Sequence, residues 1–320
     1  MQMTCYLTEA ETVSVMQRHL LFSQKPVDMK MYIAEICQEL EFPQEAQEAM
    51  LAAWDALVQC GQDMVYRKIA CEYEKDYKKD LLAATKEADV AAEAAGVHKY
   101  TAELLLFLLL TGPLREYYKA RGISMKIWHD SCMDLHWKLM ECKRVYGIWG
   151  SFVAWWFPGF FDLTRFALGR LQFELIDFPE EYMEAGHERP VGMPKAINVH
   201  IPSCGKLNRD EYLDSYRQAT EFFADSFEGD SVAFVCESWL LFEPHREMMP
   251  ANSGIVGFMN DYEIFLQKES NEDLWRIFHR EYDGRPETLP EDTGLQRAYK
   301  AWLMDGKKPG FGYGIFFRRK

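Results

Sequence analysis

From about residue 5 to residue 150, apolar residues return at three- and four-residue steps, the spacing that brings side chains back to one face of an α-helix. The repeat is clearest in Met29 to Leu40, Ala46 to Val58 and Ile123 to Tyr146. Breaks are expected at Phe42-Pro43, Gly61, Gly96, Gly112-Pro113, Gly122 and Gly147, so this half reads as an α-helical bundle. Residues 72–95, charged and alanine-rich, read as one solvent-washed helix with i,i+4 ion pairs. Leu104 to Leu110 is uniformly apolar, far shorter than the roughly 20 residues needed to cross a bilayer, and reads as a buried helix.

Residues 149–169 are unusually aromatic and end on Gly169, which suits a helix C-cap. Trp149, Trp155, Trp156, Phe157, Phe160 and Phe161 are expected to pack between two domains, an aromatic cage being the alternative. Beyond Gly169 the pattern changes to short apolar runs between turns. Strands are expected near 170–177, 195–201, 232–242, 261–267 and 311–317, and helices near 209–227, 271–282 and 293–304. The polar connection after the first strand suits an antiparallel hairpin with a long loop. The fold class is therefore α+β: an all-helical domain over 1–150, then a mixed α/β domain over 151–320.

Residues 195–242 read as strand, Gly-Lys turn, amphipathic helix, strand. A parallel β-α-β unit needs a crossover of about a dozen residues or more, usually a helix, and loops at strand C-termini are where α/β proteins build sites. Function is expected near His200 to Lys206. A glycine before a helix lets a phosphate approach backbone N–H groups, and Lys206 adds a charge, so Ser203, Cys204, Gly205 and Lys206 form a candidate cradle with Asn208 capping the helix. Lys307-Lys308-Pro309-Gly310-Phe311-Gly312 is a second glycine run, but it precedes a strand, so a bulged terminal strand is the simpler reading. Arg318, Arg319 and Lys320 could attract an anionic cofactor.

Charge narrows the partners. Fifty acidic against 36 basic residues give a net charge of −14, which repels phosphate backbones and anionic lipid, so no nucleic acid or membrane partner is expected. The eight cysteines are scattered without framework spacing, and the N-terminus has no basic segment followed by an apolar one. A cytoplasmic protein with reduced thiols is expected. His129, Cys132 and His136 share one helical face, but without a fourth group they describe an inward face, and no metal is expected.

LGRLQFEL (168–175), NVHIPSCGKL (198–207), YRQATEFF (216–223), CESWLLFEP (236–244) and the turn Asn252-Ser253-Gly254-Ile255 resemble a two-domain N-acyltransferase-like family. That family pairs an all-helical N-terminal domain with a C-terminal domain of GNAT-like N-acetyltransferase fold. The resemblance implies transfer of an acyl group from acetyl-CoA or another acyl-CoA to a small-molecule amine, with the CoA diphosphate held in the 195–242 unit. The chain departs from the usual GNAT pattern, because Gln/Arg-x-x-Gly-x-Gly/Ala does not occur between His200 and Arg209.

Such a transfer needs a base for the amine and a proton donor for the leaving thiolate. Strand alternation places Glu174, Asn198 and His200 on one polar stripe if 170–177 pairs with 195–201, and puts Glu237 and Ser238 on opposite faces of a later strand. Glu174, Glu237 or His200 are the candidate bases, with Ser238 and Cys236 the candidate donors. A non-catalytic CoA or metabolite sensor is the alternative, encouraged by the missing signature. A thiol hydrolase using Cys204 or Cys236 with His200 ranks third.

Overall fold

The computed structural model describes residues 28–320, so the helical pattern expected over residues 5–27, with Cys5, lies outside the described residues. Contacts divide the chain into two units between Phe166 and Ala167.

The first unit holds α1 (Met29–Glu39), α2 (Gln44–Gln59), α3 (Asp63–Lys75), α4 (Leu81–Ala94), α5 (Lys99–Ala120) and α6 (Met125–Tyr146), then a 3-10 turn (Ala154–Trp156) and the one-turn α7 (Pro158–Phe161). All five longer neighbours pack on α5. That position explains its composition: a helix apolar on every side is one that is surrounded, and Leu104 to Leu110 are wholly buried.

Two helical expectations fail here. The chain does not break at Gly112-Pro113; α5 runs through Pro113 to Ala120. An interior proline costs about 3 kcal/mol, while burying Leu114, Tyr117 and Tyr118 beyond it contributes about 1.5–3 kcal/mol each. Residues 72–95 are not one exposed helix either. Asp76 and Asp80 turn their carboxylates onto nearby backbone N–H groups, ending α3 and capping α4. One face of α4 (Leu81, Ala84, Ala88, Ala91, Ala92) is then buried.

The aromatic run joins this unit. Phe157 and Phe161 meet Phe107 at 4.9 and 5.0 Å, and the Arg165 guanidinium lies 3.6 Å from the centre of the Trp156 ring.

The second unit is built on β1 (Arg165–Leu168), β2 (Leu171–Asp177), α8 (Glu180–Glu184), β3 (Lys195–His200), α9 (Arg209–Phe222), β4 (Ser231–Ser238), α10 (His245–Met248), α11 (Gly254–Met259), β5 (Glu263–Glu269), α12 (Leu274–Phe278), α13 (Gly294–Met304) and β6 (Gly310–Arg319). The sheet order is β1-β2-β3-β4-β6-β5. The β3–β4 pair is parallel, as the β-α-β reading requires; β2–β3, β4–β6 and β5–β6 are antiparallel.

Several boundaries differ from expectation. Gly169 does not cap a helix; it takes a left-handed φ of 75° in the two-residue turn from β1 to β2. The 232–242 strand stops at Ser238, whose hydroxyl accepts from the Leu240 N–H and starts a 3-10 turn over Trp239–Leu241. That turn lies on β6 so closely that a Cβ at Gly312 would stand 2.3 Å from the Leu241 carbonyl oxygen, which is why a glycine is needed. The helix expected over 209–227 ends at Phe222, and that over 271–282 is one turn, stopped by His279 with a φ of 53°. The register shift expected in the last strand falls instead in its partner, between Ile264 and Leu266.

Candidate functional site

Alternation sorts the strand residues onto two faces. Phe173, Phe234 and Phe316 lie on one, where Tyr216 of α9 packs within 6.2, 5.3 and 4.8 Å of their ring centres. The opposite face carries Gln172, Glu174 and Ile176 of β2, Asn198 and His200 of β3, Val235 and Glu237 of β4, and Tyr313 of β6. The registers Glu174↔Asn198, Gln172↔His200, Asn198↔Val235 and Glu237↔Tyr313 bring these into one band.

The stripe expected from the sequence is therefore present: the Glu174 carboxylate lies 3.3 Å from His200 Nε2. Both side chains are mostly covered, 23% and 17% exposed.

Glu237 shares this face, beside Tyr313. Burial, then the negative charge of Glu237, pushes the Tyr313 phenol up to about 12, and the Lys268 ammonium lies 3.5 Å from its oxygen. The phenol stays protonated at neutral pH and can give a proton away. Ser238 falls on the other face and is occupied as the cap of the 3-10 turn. Cys236 is fully buried there, next to Tyr216 and Tyr262, and burial pushes its thiol well up. Neither stands with the bases, and a buried protonated thiol is no nucleophile. Tyr313 is a protonated group on this face that sequence reading missed, although Phe311-Gly312-Tyr313-Gly314-Ile315 alternates and places it.

The parallel ladder between β3 and β4 registers only Ile197↔Phe234 and Asn198↔Val235. Toward their C-terminal ends β3 stays paired with β2 through His200, and β4 with β6 through Ser238, while no β3–β4 pair continues. A cavity of about 440 Å³ opens on the polar face, lined by Ile176, Asn198, Val235, Glu237 and Tyr313 among others, while Glu174 and His200 stand outside it. Phe178 to Glu181, the start of the 178–194 connection, form its far wall. From β2 the connection reaches β5, where Tyr182 stacks on His187 at 4.4 Å and meets Phe265 edge-on at 5.1 Å. Because β3, β4 and β6 lie between β2 and β5 in the sheet, the connection arches over the open face.

Beyond His200 the chain enters the 201–208 loop. Arg170 gathers the carbonyls of Pro202 (3.1 Å), Gly205 (2.8 Å) and Lys206 (3.4 Å). Across a trans peptide the next N–H points the opposite way, so the amides of Lys206 and Leu207 face away from the guanidinium. Gly205 has a φ of 112° and open space where a side chain would be. Ser203, Gly205 and Lys206 are exposed and Cys204 partly so. Asn208 caps α9 as expected, accepting from the Asp210 N–H. Asp210 and Glu211 in the first turn already complement the helix field, so an anion here meets loop amides rather than the helix mouth.

The basic C-terminus lies elsewhere. Arg318 and Arg319 pair with Val232 and Ser231, at the end of β4 remote from Ser238. In the helical unit, His129 and His136 contact the carbonyls of Glu39 and Leu40, and no group of three His, Cys, Asp or Glu side chains is placed to hold a metal among the described residues. No helix there is long and apolar enough to cross a membrane.

An antiparallel run into a parallel strand, loop, helix, strand unit is the order of a GNAT-like fold. Residues 165–316 match the GNAT-like C-terminal domain and residues 31–163 the N-acyltransferase N-terminal domain, and the chain is a two-domain member of that N-acyltransferase-like family. Similar solved structures include an acyltransferase in complex with decanoyl-CoA and teicoplanin, 19% identical, covering 88% of this chain and 86% of that one with a TM-score of 0.66. The acyltransferase in complex with decanoyl-CoA is 20% identical over the same shares, TM-score 0.64. A third, with CoA and 10C-teicoplanin, is 19% identical over 88% and 86%, TM-score 0.65. The sequence matches no curated protein.

Proposed function

We propose that the protein transfers an acyl group from an acyl-CoA thioester to a small-molecule amine at the cavity between β3 and β4. One observation carries the reading: the parallel ladder stops at Asn198↔Val235 beside a cavity that holds a carboxylate and a protonated phenol. Where neighbouring strands part, their facing edges can pair with the amides of an inserted extended arm, as a further strand would. The pantetheine arm of CoA carries two such amides in a row.

The exposed loop fits the other end of that cofactor. The amides of Lys206 and Leu207, the open space at Gly205 and the Lys206 ammonium would hold the diphosphate, with Ser203 and Cys204 at its edge. Arg170 serves by fixing the loop's carbonyls behind it.

In the transfer, the amine nitrogen attacks the thioester carbonyl; a C–N bond forms and the C–S bond breaks. The ammonium proton goes first to Glu237 or to the Glu174–His200 pair, leaving the nitrogen lone pair free. The leaving thiolate takes its proton from Tyr313, and the phenolate so formed regains one from the attacking nitrogen, which gives up its second proton as the amide forms. Water is held off by the 178–194 arch and the apolar wall of Val235 and Phe265.

A CoA-binding protein without turnover is the second reading, favoured by Ser203-Cys204-Gly205-Lys206 standing where the usual signature would be. Thermal unfolding with CoA and with acyl-CoA of several chain lengths tests what both readings share. At about 100 Kd of ligand, stabilisation is about 2.7 kcal/mol, a rise of roughly 5–10 °C for a domain of this size. Lys206→Ala is expected to weaken CoA binding about tenfold, the loss of one charge-assisted contact; an unchanged Kd removes Lys206 from the site. Thiol release with a panel of amines then separates enzyme from sensor.

A further inference from the structure

The turn Asn252-Ser253-Gly254-Ile255 has no part in the reacting face, yet the 201–208 loop is backed by it. Ser253 caps α11 by accepting from the Val256 N–H. At Gly254, the first residue of α11, a Cβ would stand 3.0 Å from the Leu207 carbonyl oxygen, so a side chain there displaces that oxygen by a few tenths of an ångström or pushes the helix back. Gly254 does not take a left-handed φ; what the position demands is space. The helix is poorly placed to yield. The Arg209 guanidinium, in the first turn of α9, binds both carboxylate oxygens of Asp261 at 2.8 and 2.7 Å. Tyr212 of α9 meets Phe258 of α11 edge-on at 5.5 Å, and Phe258 and Met259 are wholly buried.

The peptide planes that lead into α9 are therefore held from behind, one after another. Arg170 takes the carbonyls of Gly205 and Lys206, and the start of α11 abuts the carbonyl of Leu207. Each carbonyl fixes the direction of the N–H at the other end of its own rigid plane. Those N–H groups belong to Lys206, Leu207 and Asn208, and they donate to no protein group among the described residues. Successive amides held in place with no protein acceptor form a concavity that suits an anion.

We propose that Gly254 is a positioning residue for the CoA diphosphate: by letting α11 abut the Leu207 carbonyl it aims the Asn208 N–H as a third donor, and the Arg209–Asp261 pair keeps α11 there. The proposal rests on the acyl-CoA reading for the identity of the anion. It separates the two ends of the cofactor. Changes at residues 254 and 261 act on the grip of the diphosphate and leave the pantetheine arm and the reacting groups as they are.

Calorimetric titration of CoA into the wild-type chain and into Gly254→Ala tests it, with pantetheine, which has the same arm and no diphosphate, as the second probe. Alanine is the better helix former at this position, so the variant keeps the fold, and its unfolding midpoint is measured alongside. Misaiming one donor to a charged acceptor is expected to weaken CoA about tenfold and to leave pantetheine unchanged within about twofold. Asp261→Asn is the second variant. It removes a negative charge, which by charge alone can only favour an anion, so the expected weakening of CoA by about threefold, the scale of an exposed ion pair, reports the lost tie between α9 and α11. Unchanged CoA affinity in Gly254→Ala, pantetheine weakened in step with CoA, or tighter CoA binding in Asp261→Asn overturns the proposal. A wild-type chain that binds no CoA overturns the acyl-CoA reading together with it, whereas wild-type binding that Gly254→Ala leaves untouched removes the positioning role alone.

Discussion

The two faces of the C-terminal sheet are made by the same strands and have opposite chemistry. Against α9, Phe173, Phe234, Phe316 and Tyr216 form an aromatic core in which Phe234 and Phe316 stack at 4.9 Å, and the buried hydroxyls of Tyr216 and Tyr262 satisfy each other at 2.8 Å. On the opposite face, the intervening residues are Glu174, Asn198, His200, Glu237 and Tyr313. A period of two lets one strand hold the fold with every second residue and present reactive groups with the rest. Polar groups are tolerated on the second face because they answer one another there, as Glu174 does His200, whereas on the first each needs a fixed partner, as Tyr216 and Tyr262 supply.

The division is broken most forcefully from the aromatic side. Tyr216→Ala removes a ring that touches Phe173, Phe234 and Phe316 and leaves the Tyr262 hydroxyl without its partner. A loss of about 3–5 kcal/mol in unfolding free energy is expected, read from denaturant midpoints at unchanged m-value. Thiol release per folded molecule should hardly change; a variant that stays folded yet loses turnover would show that the faces are not separate. From the other side, Tyr313→Phe keeps the ring and removes the proton. About a 100-fold fall in kcat is expected, the usual worth of one acid–base group, with the unfolding midpoint nearly unmoved and CoA-induced stabilisation intact. If turnover survives, the thiolate takes its proton from solvent and the donor role of Tyr313 is wrong.

How much of this could be read from the sequence depends on whether the deciding contact is local. Helices with a regular apolar step, such as Met29–Glu39 and Met125–Tyr146, appeared where the pattern put them. So did the β2–β3 pairing that sets Glu174 beside His200. Pro113 and the 72–95 stretch were misread because local propensity was outweighed by burial against neighbours distant in sequence. Ser238 reads as strand by composition, since the apolar run continues through Leu241, and only its cap bond to Leu240 reveals the turn. The arch was the least legible part. Phe178 to Pro194 has a loop's composition, and its role comes from Tyr182 and His187 reaching Phe265, some 80 residues further on.

A carboxyl outside the sheet sharpens the contrast between charges that hold structure and charges that react. Glu103, on α5, is 6% exposed; burial first and the Asp89 carboxylate second raise it to about 7, with Lys99 at 3.5 Å opposing the shift. A carboxyl that binds its proton more tightly when folded stabilises the fold below its ordinary value of 4.5. That contribution fades as pH rises through the window from 4.5 to about 7, because the unfolded chain releases the proton first. Ionisation at Glu103 is thus expected to cost on the order of 1–2 kcal/mol of stability by pH 8, below the full value of the shift because the Lys99 ammonium is solvent-exposed. Glu103→Gln should flatten the fall in unfolding midpoint between pH 5 and pH 8 and leave the pH profile of thiol release in place, since the groups that set that profile sit on the sheet. A shifted activity profile in this variant would mean that the helical unit's charges reach the reacting groups, and the assignment of acid–base chemistry to the sheet's open face alone would have to be given up.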